Sequence, residues 1–189
     1  LMETLDIWDM QLAEYGTRIL ERRREFVEQV NEIISDIHHK LTGGREDITL
    51  IYEESIGNMS LEQALKKNRE RDLRLKSTSV GPHRDDLCFL NNGEIDIRKF
   101  GSQGQQRTAA LSLKLSEIEL VKRIIKDTPI LLLDDVLSEL DKHRQNYLLD
   151  SIHDIQAVIT CTGLDEFVNH RFSINKIFHI KNGQAAKAN

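Results

Sequence analysis

The run PILLLDD, from Pro129 to Asp135, constrains this chain more than any other stretch. Four consecutive apolar residues, enough for a strand, end in two adjacent carboxylates. An apolar run without polar alternation reads as a strand of a parallel sheet, buried on both faces. AVITCT, from Ala157 to Thr162, is a second such run, and KIFHIKNGQ, from Lys176 to Gln184, reads as a last edge strand with a turn. Between the first two, helical spacing extends from roughly Glu139 to His153. Strand, helix, strand is half of a parallel α/β sheet. Open sheets of that kind bind ligands at the C-terminal ends of their strands, where Asp134 and Asp135 stand.

The rest of the chain is more helical. From Leu5 to about Leu41 the apolar residues Ile7, Leu12, Ile19, Phe26, Val30, Ile33, Ile34 and Ile37 recur at helical spacing, with charges between them. This predicts one long helix or a two-helix hairpin, with Trp8 and Phe26 in its core and Thr42-Gly43-Gly44 as its stop. ITLIYE predicts a short strand, and SLEQALKKNRERDLRLK a second helix capped by Ser60. LCFLNNGEIDIRKF reads as two alternating runs around Asn91-Asn92-Gly93, a hairpin signal. A further helix is expected from about Ser102 to Lys126. The change of texture after Lys76 places a boundary near residues 76–80, with a helical arm over 1–78 and an α/β lobe over 79–189.

At 189 residues, 39% hydrophobic and 30% charged, the chain can bury a real core. Two widely separated cysteines, Cys88 and Cys161, without CxxC spacing, predict a reduced cytoplasmic protein. No apolar run reaches the length of a membrane span, and the opening LMETLDIWDMQLAEYG reads as the middle of a protein, with no signal peptide. A net charge of −5 argues against a simple polycation. Yet ALKKNRERDLRLK concentrates Lys66, Lys67, Arg69, Arg71, Arg74 and Lys76 against only Glu70 and Asp72. Such a cluster either tracks nucleic-acid phosphates or forms a solvated, ion-paired helix face. Aromatic residues, at 5%, are too few for a base-stacking platform.

Two segments carry candidate chemistry. In PILLLDDVLSELD the paired acids are followed by Ser138-Glu139-Leu140-Asp141. A carboxylate closing an apolar strand suits Mg²⁺, a hard cation that prefers oxygen, and its neighbour can orient or deprotonate a water. FGSQGQQRTAALSLK sets a glycine-rich polar loop before a helix. Ser102 and Gln105 have capping-box spacing, which is an ordinary helix start. The same geometry offers free N–H groups and a positive dipole end to an anion, and Gly104 permits close approach.

The order of these segments resembles that of ABC-type ATPase heads: signature loop, helix, Walker B strand, D-loop. GSQGQ is similar to the LSGGQ signature, retaining Ser102, Gly104 and Gln105. With GPHRDDL at Gly81–Leu87, the resemblance narrows to the RecF family, chiefly over residues 81–141. It implies an α/β fold, the C-terminal lobe of an ABC-type head with a parallel-sheet core, preceded by a helical lever arm. It further implies that Asp134 is the Walker B acid for Mg²⁺ and that Asp135 stands at the catalytic-base position, with slow hydrolysis because aspartate reaches less far than glutamate. Ser102, Gln103, Gly104 and Gln105 would contact ATP held by a second molecule, and Ser138 and Asp141 would belong to the D-loop at that interface. Cys161 stands where most ABC heads carry a switch histidine.

No G-x-x-x-x-G-K-[ST] loop occurs in the chain. Because RecF proteins carry that loop near their N-terminus, the chain reads as roughly their C-terminal half. The resemblance implies DNA repair, replication and recombination, with ATP and Mg²⁺ as cofactors. The implied partners are single- and double-stranded DNA, RecR, RecO, indirectly the RecA recombinase, and a second copy of the protein. A structural head of the SMC type and a non-enzymatic scaffold for RecR stand beside this reading. His38-His39 reads as a surface pair, since adjacent helix residues point apart. His83-Arg84 could be catalytic, touch phosphate or brace the lobe in a buried polar network, and Cys161 could be redox-active or an inert buried thiol.

Overall fold

The computed structural model describes residues 2–137, 140–161 and 176–187. The fold is mixed α/β, and the chain divides into two compact units, Leu1–Lys126 and Asp127–Asn189. The boundary expected near residues 76–80 falls inside the first unit, where two strands pair across it.

The first unit is built on α1, one unbroken helix from Met2 to Thr42. Gly43 and Gly44, with φ of 65° and 78°, end it, and the Gly44 amide returns to the His39 carbonyl at 2.7 Å. Glycine is needed there because the left-handed region strains residues with a Cβ. Strand β1 (Ile48–Glu53) leads to α2 (Leu61–Leu75), whose cap is a reciprocal box between Ser60 and Gln63. Then come a short 3₁₀ turn at Pro82–Arg84, β2 (Asp86–Asn91), β3 (Ile95–Asp96), the single turn α3 (Ile97–Phe100) and α4 (Gln103–Ile125). The sheet runs β1-β2-β3, antiparallel throughout, with Leu50 opposite Phe89 and Ile51 opposite Cys88. Asn92 and Gly93, both at positive φ, form the β2–β3 turn. The second arm of that hairpin pairs over only two residues, because Asp96 caps α3 through the Arg98 amide and redirects the chain into a helix.

Val27, Val30, Ile33 and Ile34 of α1 pack with Ile48 and Leu50 of β1, Ile97, and Ala109 and Leu120 of α4 in one core. Leu20, Ile56, Leu61, Ala64, Leu65 and Val80 form a second. A Cβ on Gly16 would lie 2.4 Å from the Leu61 side chain, so a glycine lets α2 approach α1. The apolar stripe expected along all of α1 is buried only in its later part. Ile7, Trp8, Leu12 and Ile19 are exposed, whereas Phe26 is partly buried against the core.

The second unit holds β4 (Leu131–Asp134), α5 (Lys142–Ser151) and β5 (Ala157–Thr160), with β4 and β5 parallel. Helix α5 begins at Lys142 rather than 139, because Asp141 is its N-cap and accepts from the Arg144 amide at 3.0 Å. The two strands are not buried on both faces. Their residues alternate, with Leu132 73% and Val158 54% exposed. Burial of an apolar strand requires a second layer on each face, and β5 covers only an edge of β4. A hairpin of β6 (Phe178–Lys181) and β7 (Gln184–Lys187), turning at Asn182-Gly183, replaces the single edge strand expected there. No described helix is long and apolar enough to cross a membrane.

Candidate functional site

The loop before α4 is held by its own side chains. Ser102, in extended backbone, accepts the Gln105 amide on Oγ at 3.2 Å, and Gln105 Oε1 accepts the Ser102 amide at 2.8 Å. Gln106 Nε2 spans the carbonyls of Arg98 and Gly101, each at 3.2 Å. Gly101 has an ordinary extended φ of −74°, but a Cβ there would sit 2.4 Å from the Ile97 carbonyl oxygen. Its glycine therefore serves the close return of the loop over α3.

Capping does not exhaust Ser102. A hydroxyl has one proton and two lone pairs, and the cap uses a lone pair. The proton remains to donate, at an exposed position beside the first-turn amides of α4. These amides have no partner within the helix, and the dipole there favours negative charge. Ser102, Gln103 and Gly104 thus leave donors at the helix start that an anion could accept, and Gln105 fixes its shape.

Behind it lies a polar chain that sequence reasoning missed. Gln105 Nε2 donates to Glu46 Oε1 at 3.2 Å, and Glu46 Oε2 stands 3.7 Å from His38 Nε2. His38 Nδ1 is 2.9 Å from Ser112 Oγ, which donates to the Thr108 carbonyl at 2.8 Å. His38 is fully buried, not a surface residue, because its partner on α4 lies 74 positions away. Its neighbour His39 does face outward, toward Asp47. No local pattern could have revealed this pairing.

In the second unit, Asp134 ends β4 opposite Thr160 of β5. The Thr160 hydroxyl donates to Asp134 Oδ1. The Asp135 amide donates to Thr160 Oγ1 at 3.1 Å and to its carbonyl at 3.2 Å. Asp135 has φ of 51°, a left-handed conformation uncommon outside glycine. Both carboxylates are exposed at the strand end. The donor set fits Mg²⁺, which takes one or two carboxylates and completes its shell with water and phosphate oxygens. No cluster of three or more metal-ligating side chains occurs among the described residues. Thr160 was not singled out from sequence, although parallel pairing of the two runs in register would have placed it there. Asp141 caps α5 and pairs with Arg144 at 3.1 Å; Ser138 lies outside the described residues.

The basic cluster separates into two sets on α2. Arg69 reaches Asp6 at 2.6 Å and Asp9 at 2.5 Å on α1, and Lys66 pairs with Glu62 at 2.6 Å. Lys67, Arg71 and Arg74, spaced i, i+4, i+7, share one exposed face, with Lys76 exposed beyond them.

The GPHRDDL segment forms a brace. Asp85 accepts the Ser55 amide at 2.8 Å and the Tyr52 hydroxyl, while Arg23 donates to the Pro82 carbonyl at 2.5 Å. His83 Nε2 and Arg84 Nε both meet the Thr78 carbonyl, at 3.0 and 3.1 Å. Burial and the bond to Asp85 push the Tyr52 hydroxyl up to about 12. Burial also acts to raise the Asp85 carboxyl, but its bonds from Tyr52 and Ser55 outweigh this and hold it below the ordinary value. Cys88 is buried, and burial raises its thiol; Cys161 is half-buried at the end of β5.

No protein-family model matches the chain. It is 62% identical over 184 residues to the DNA replication and repair protein RecF of Agathobacter rectalis, covering 97% of the chain and 51% of that relative. It is 59% identical over 189 residues to RecF of Lachnospira eligens, covering all of the chain and 52% of the relative. A solved structure of the recombination mediator protein RecF with ATP, in the RecFOR pathway, superposes with a TM-score of 0.79 at 37% identity, over 98% of this chain and 52% of that one. A second, of RecF-ATPrS in the same pathway, superposes with a TM-score of 0.81 at 36% identity. The chain spans about half the length of the relatives it matches, over their C-terminal half. Over that half, the chain is a homologue of RecF proteins.

Proposed function

We propose that the whole protein to which this chain corresponds is an ATP-gated, DNA-binding recombination mediator. It would act in the cytoplasm with RecR and RecO to support loading of the RecA recombinase. Residues 1–78 serve as a lever arm and residues 79–189 as the C-terminal half of an ABC-type head. The observation that carries the reading is the α4 start, where Ser102 caps the helix with a lone pair and keeps its proton for an anion.

In this reading the loop has no lysine because its phosphate belongs to another molecule. Ser102 Oγ and the amides of Gln103 and Gly104 close over the γ-phosphate of ATP held by a second copy, so nucleotide joins two heads. Asp134 holds Mg²⁺, which when bound neutralises charge developing on the phosphoryl oxygens. Asp135 orients the attacking water and takes its proton, and its short side chain makes hydrolysis slow. Ser138 and Asp141 lie along the seam between the heads. Lys67, Arg71, Arg74 and Lys76 face DNA phosphates, and each neutralised phosphate adds salt dependence.

The chain alone, without a phosphate cradle and its lysine, binds ATP weakly. Titration calorimetry with ATP and Mg²⁺ tests this. The expected result is no measurable heat for the 189-residue chain and saturable binding for the whole protein. Micromolar binding by the chain alone would contradict the reading.

A further inference from the structure

The strand-end acids are presented by a residue outside their own segment. We propose that Thr160 is the positioning residue for both Asp134 and Asp135, an inference that rests on the reading of these acids as the Mg²⁺ and water-activating carboxylates. Parallel register sets Thr160 directly opposite Asp134. Its hydroxyl has a single proton, which goes to Asp134 Oδ1, and a lone pair accepts the Asp135 amide at 3.1 Å. One side-chain oxygen therefore fixes the rotamer of the first acid and the backbone of the second.

Both effects bear on the site. With Oδ1 engaged, Asp134 keeps Oδ2 for a metal, and its carboxylate plane is set before any ion arrives. Asp135 holds φ of 51°, a conformation that persists only where surrounding bonds determine it. Two bonds from its amide to Thr160, one to the hydroxyl and one to the carbonyl, contribute to holding it. Without the hydroxyl, the Asp135 amide loses one of its two acceptors on Thr160. Outer-shell partners of this kind orient metal ligands without touching the ion.

The test compares Thr160→Val, Thr160→Ser and Asp134→Ala in the whole protein. Valine keeps the β-branched shape that suits a strand and removes the hydroxyl, whereas serine restores it. The readouts are Mn²⁺ affinity by electron paramagnetic resonance with a non-hydrolysable ATP analogue, and the Mg²⁺ concentration that half-saturates ATP-dependent association in sedimentation. Circular dichroism selects folded variants; if valine unfolds the protein, Thr160→Ala takes its place. The expected result is metal affinity about tenfold weaker or worse for Thr160→Val, and within about twofold of the parent for Thr160→Ser. Thr160→Val matching the parent, while Asp134→Ala loses metal, would overturn the role of Thr160 and leave the carboxylate reading standing. A loss in Thr160→Ser as large as in Thr160→Val would also overturn it. Unchanged metal affinity in Asp134→Ala would remove the reading on which the inference rests.

Discussion

Gln105 closes the cap of α4 and at the same time holds Glu46, its Nε2 lying 3.2 Å from the Glu46 carboxylate. Glu46 in turn stands 3.7 Å from His38 of α1, beyond hydrogen-bond distance, so polar side chains run from the loop toward the long helix. Glu46→Ala should loosen the cap, lowering stability by about 0.5–1.5 kcal/mol for the missing bond. Glu46→Gln, which can still accept, should lose less. Urea unfolding measures the first effect. Faster exchange of the Ser102 amide, which Gln105 accepts, reports the second.

Gly101→Ala should destabilise the first unit. Its Cβ would meet the Ile97 carbonyl at 2.4 Å, and that oxygen belongs to backbone which cannot swing aside. A forced overlap of this kind costs roughly 1–3 kcal/mol. The urea midpoint should fall with an unchanged slope, and the α4 start should lose order with it. A neutral substitution would mean that α3 yields more easily than the bonds from Gln106 to its Ile97 and Arg98 carbonyls suggest.

The basic residues of α2 should divide into two phenotypes. Charge reversal at Lys67, Arg71 and Arg74 should weaken DNA binding and flatten its salt dependence, by about 0.9 in logarithmic slope for each phosphate that is no longer neutralised. Melting temperature should barely change, because these side chains are exposed. Arg69→Ala should do the reverse, lowering the melting temperature because it removes the clamp onto Asp6 and Asp9. Equal effects of the two changes on DNA affinity would erase the distinction.

The Tyr52–Asp85 pair should show in stability at both ends of the pH range. The Tyr52 hydroxyl is raised from 10 to about 12, so the folded state holds its proton more tightly than the unfolded state does. Its contribution is complete below pH 10 and is lost as pH rises through 12. Asp85 is lowered, so its contribution is present above the ordinary carboxylate value of 3.8 and is lost as pH falls below it. Tyr52→Phe should flatten the alkaline limb and Asp85→Asn the acid limb, each read from unfolding midpoints against pH.

The parts of this structure that were legible in the sequence are the parts set by neighbours along the chain. The α4 start could be read from Ser102 and Gln105 because a capping box is closed within four residues, and the Asn91–Gly93 turn is equally local. The strand-end position of Asp134 and Asp135 followed from an apolar run of the right length. Burial was not legible in the same way. Trp8 and Leu132 are as apolar as any core residue, yet what covers them is a matter of tertiary placement, and both are exposed. His38 erred in the opposite direction, because Ser112 offers a buried imidazole a partner that no local window contains. The boundary near residues 76–80 followed a real change of texture, but β1 pairs with β2 across it. Thr160 escaped notice because its importance comes from strand register, which emerges only once β4 and β5 are aligned.

The claim that Ser102 completes an ATP site on a second molecule is tested most directly by Ser102→Asp in the whole protein, with ATP-dependent association read by analytical sedimentation. Aspartate is a good N-cap and carries an acceptor for the Gln105 amide, so α4 and the melting temperature should be retained. It has no proton to give and sets a negative charge where a γ-phosphate would lie. The expected result is a folded monomer that still binds ATP but no longer associates when ATP and Mg²⁺ are added. Association equal to that of the parent protein would contradict the account.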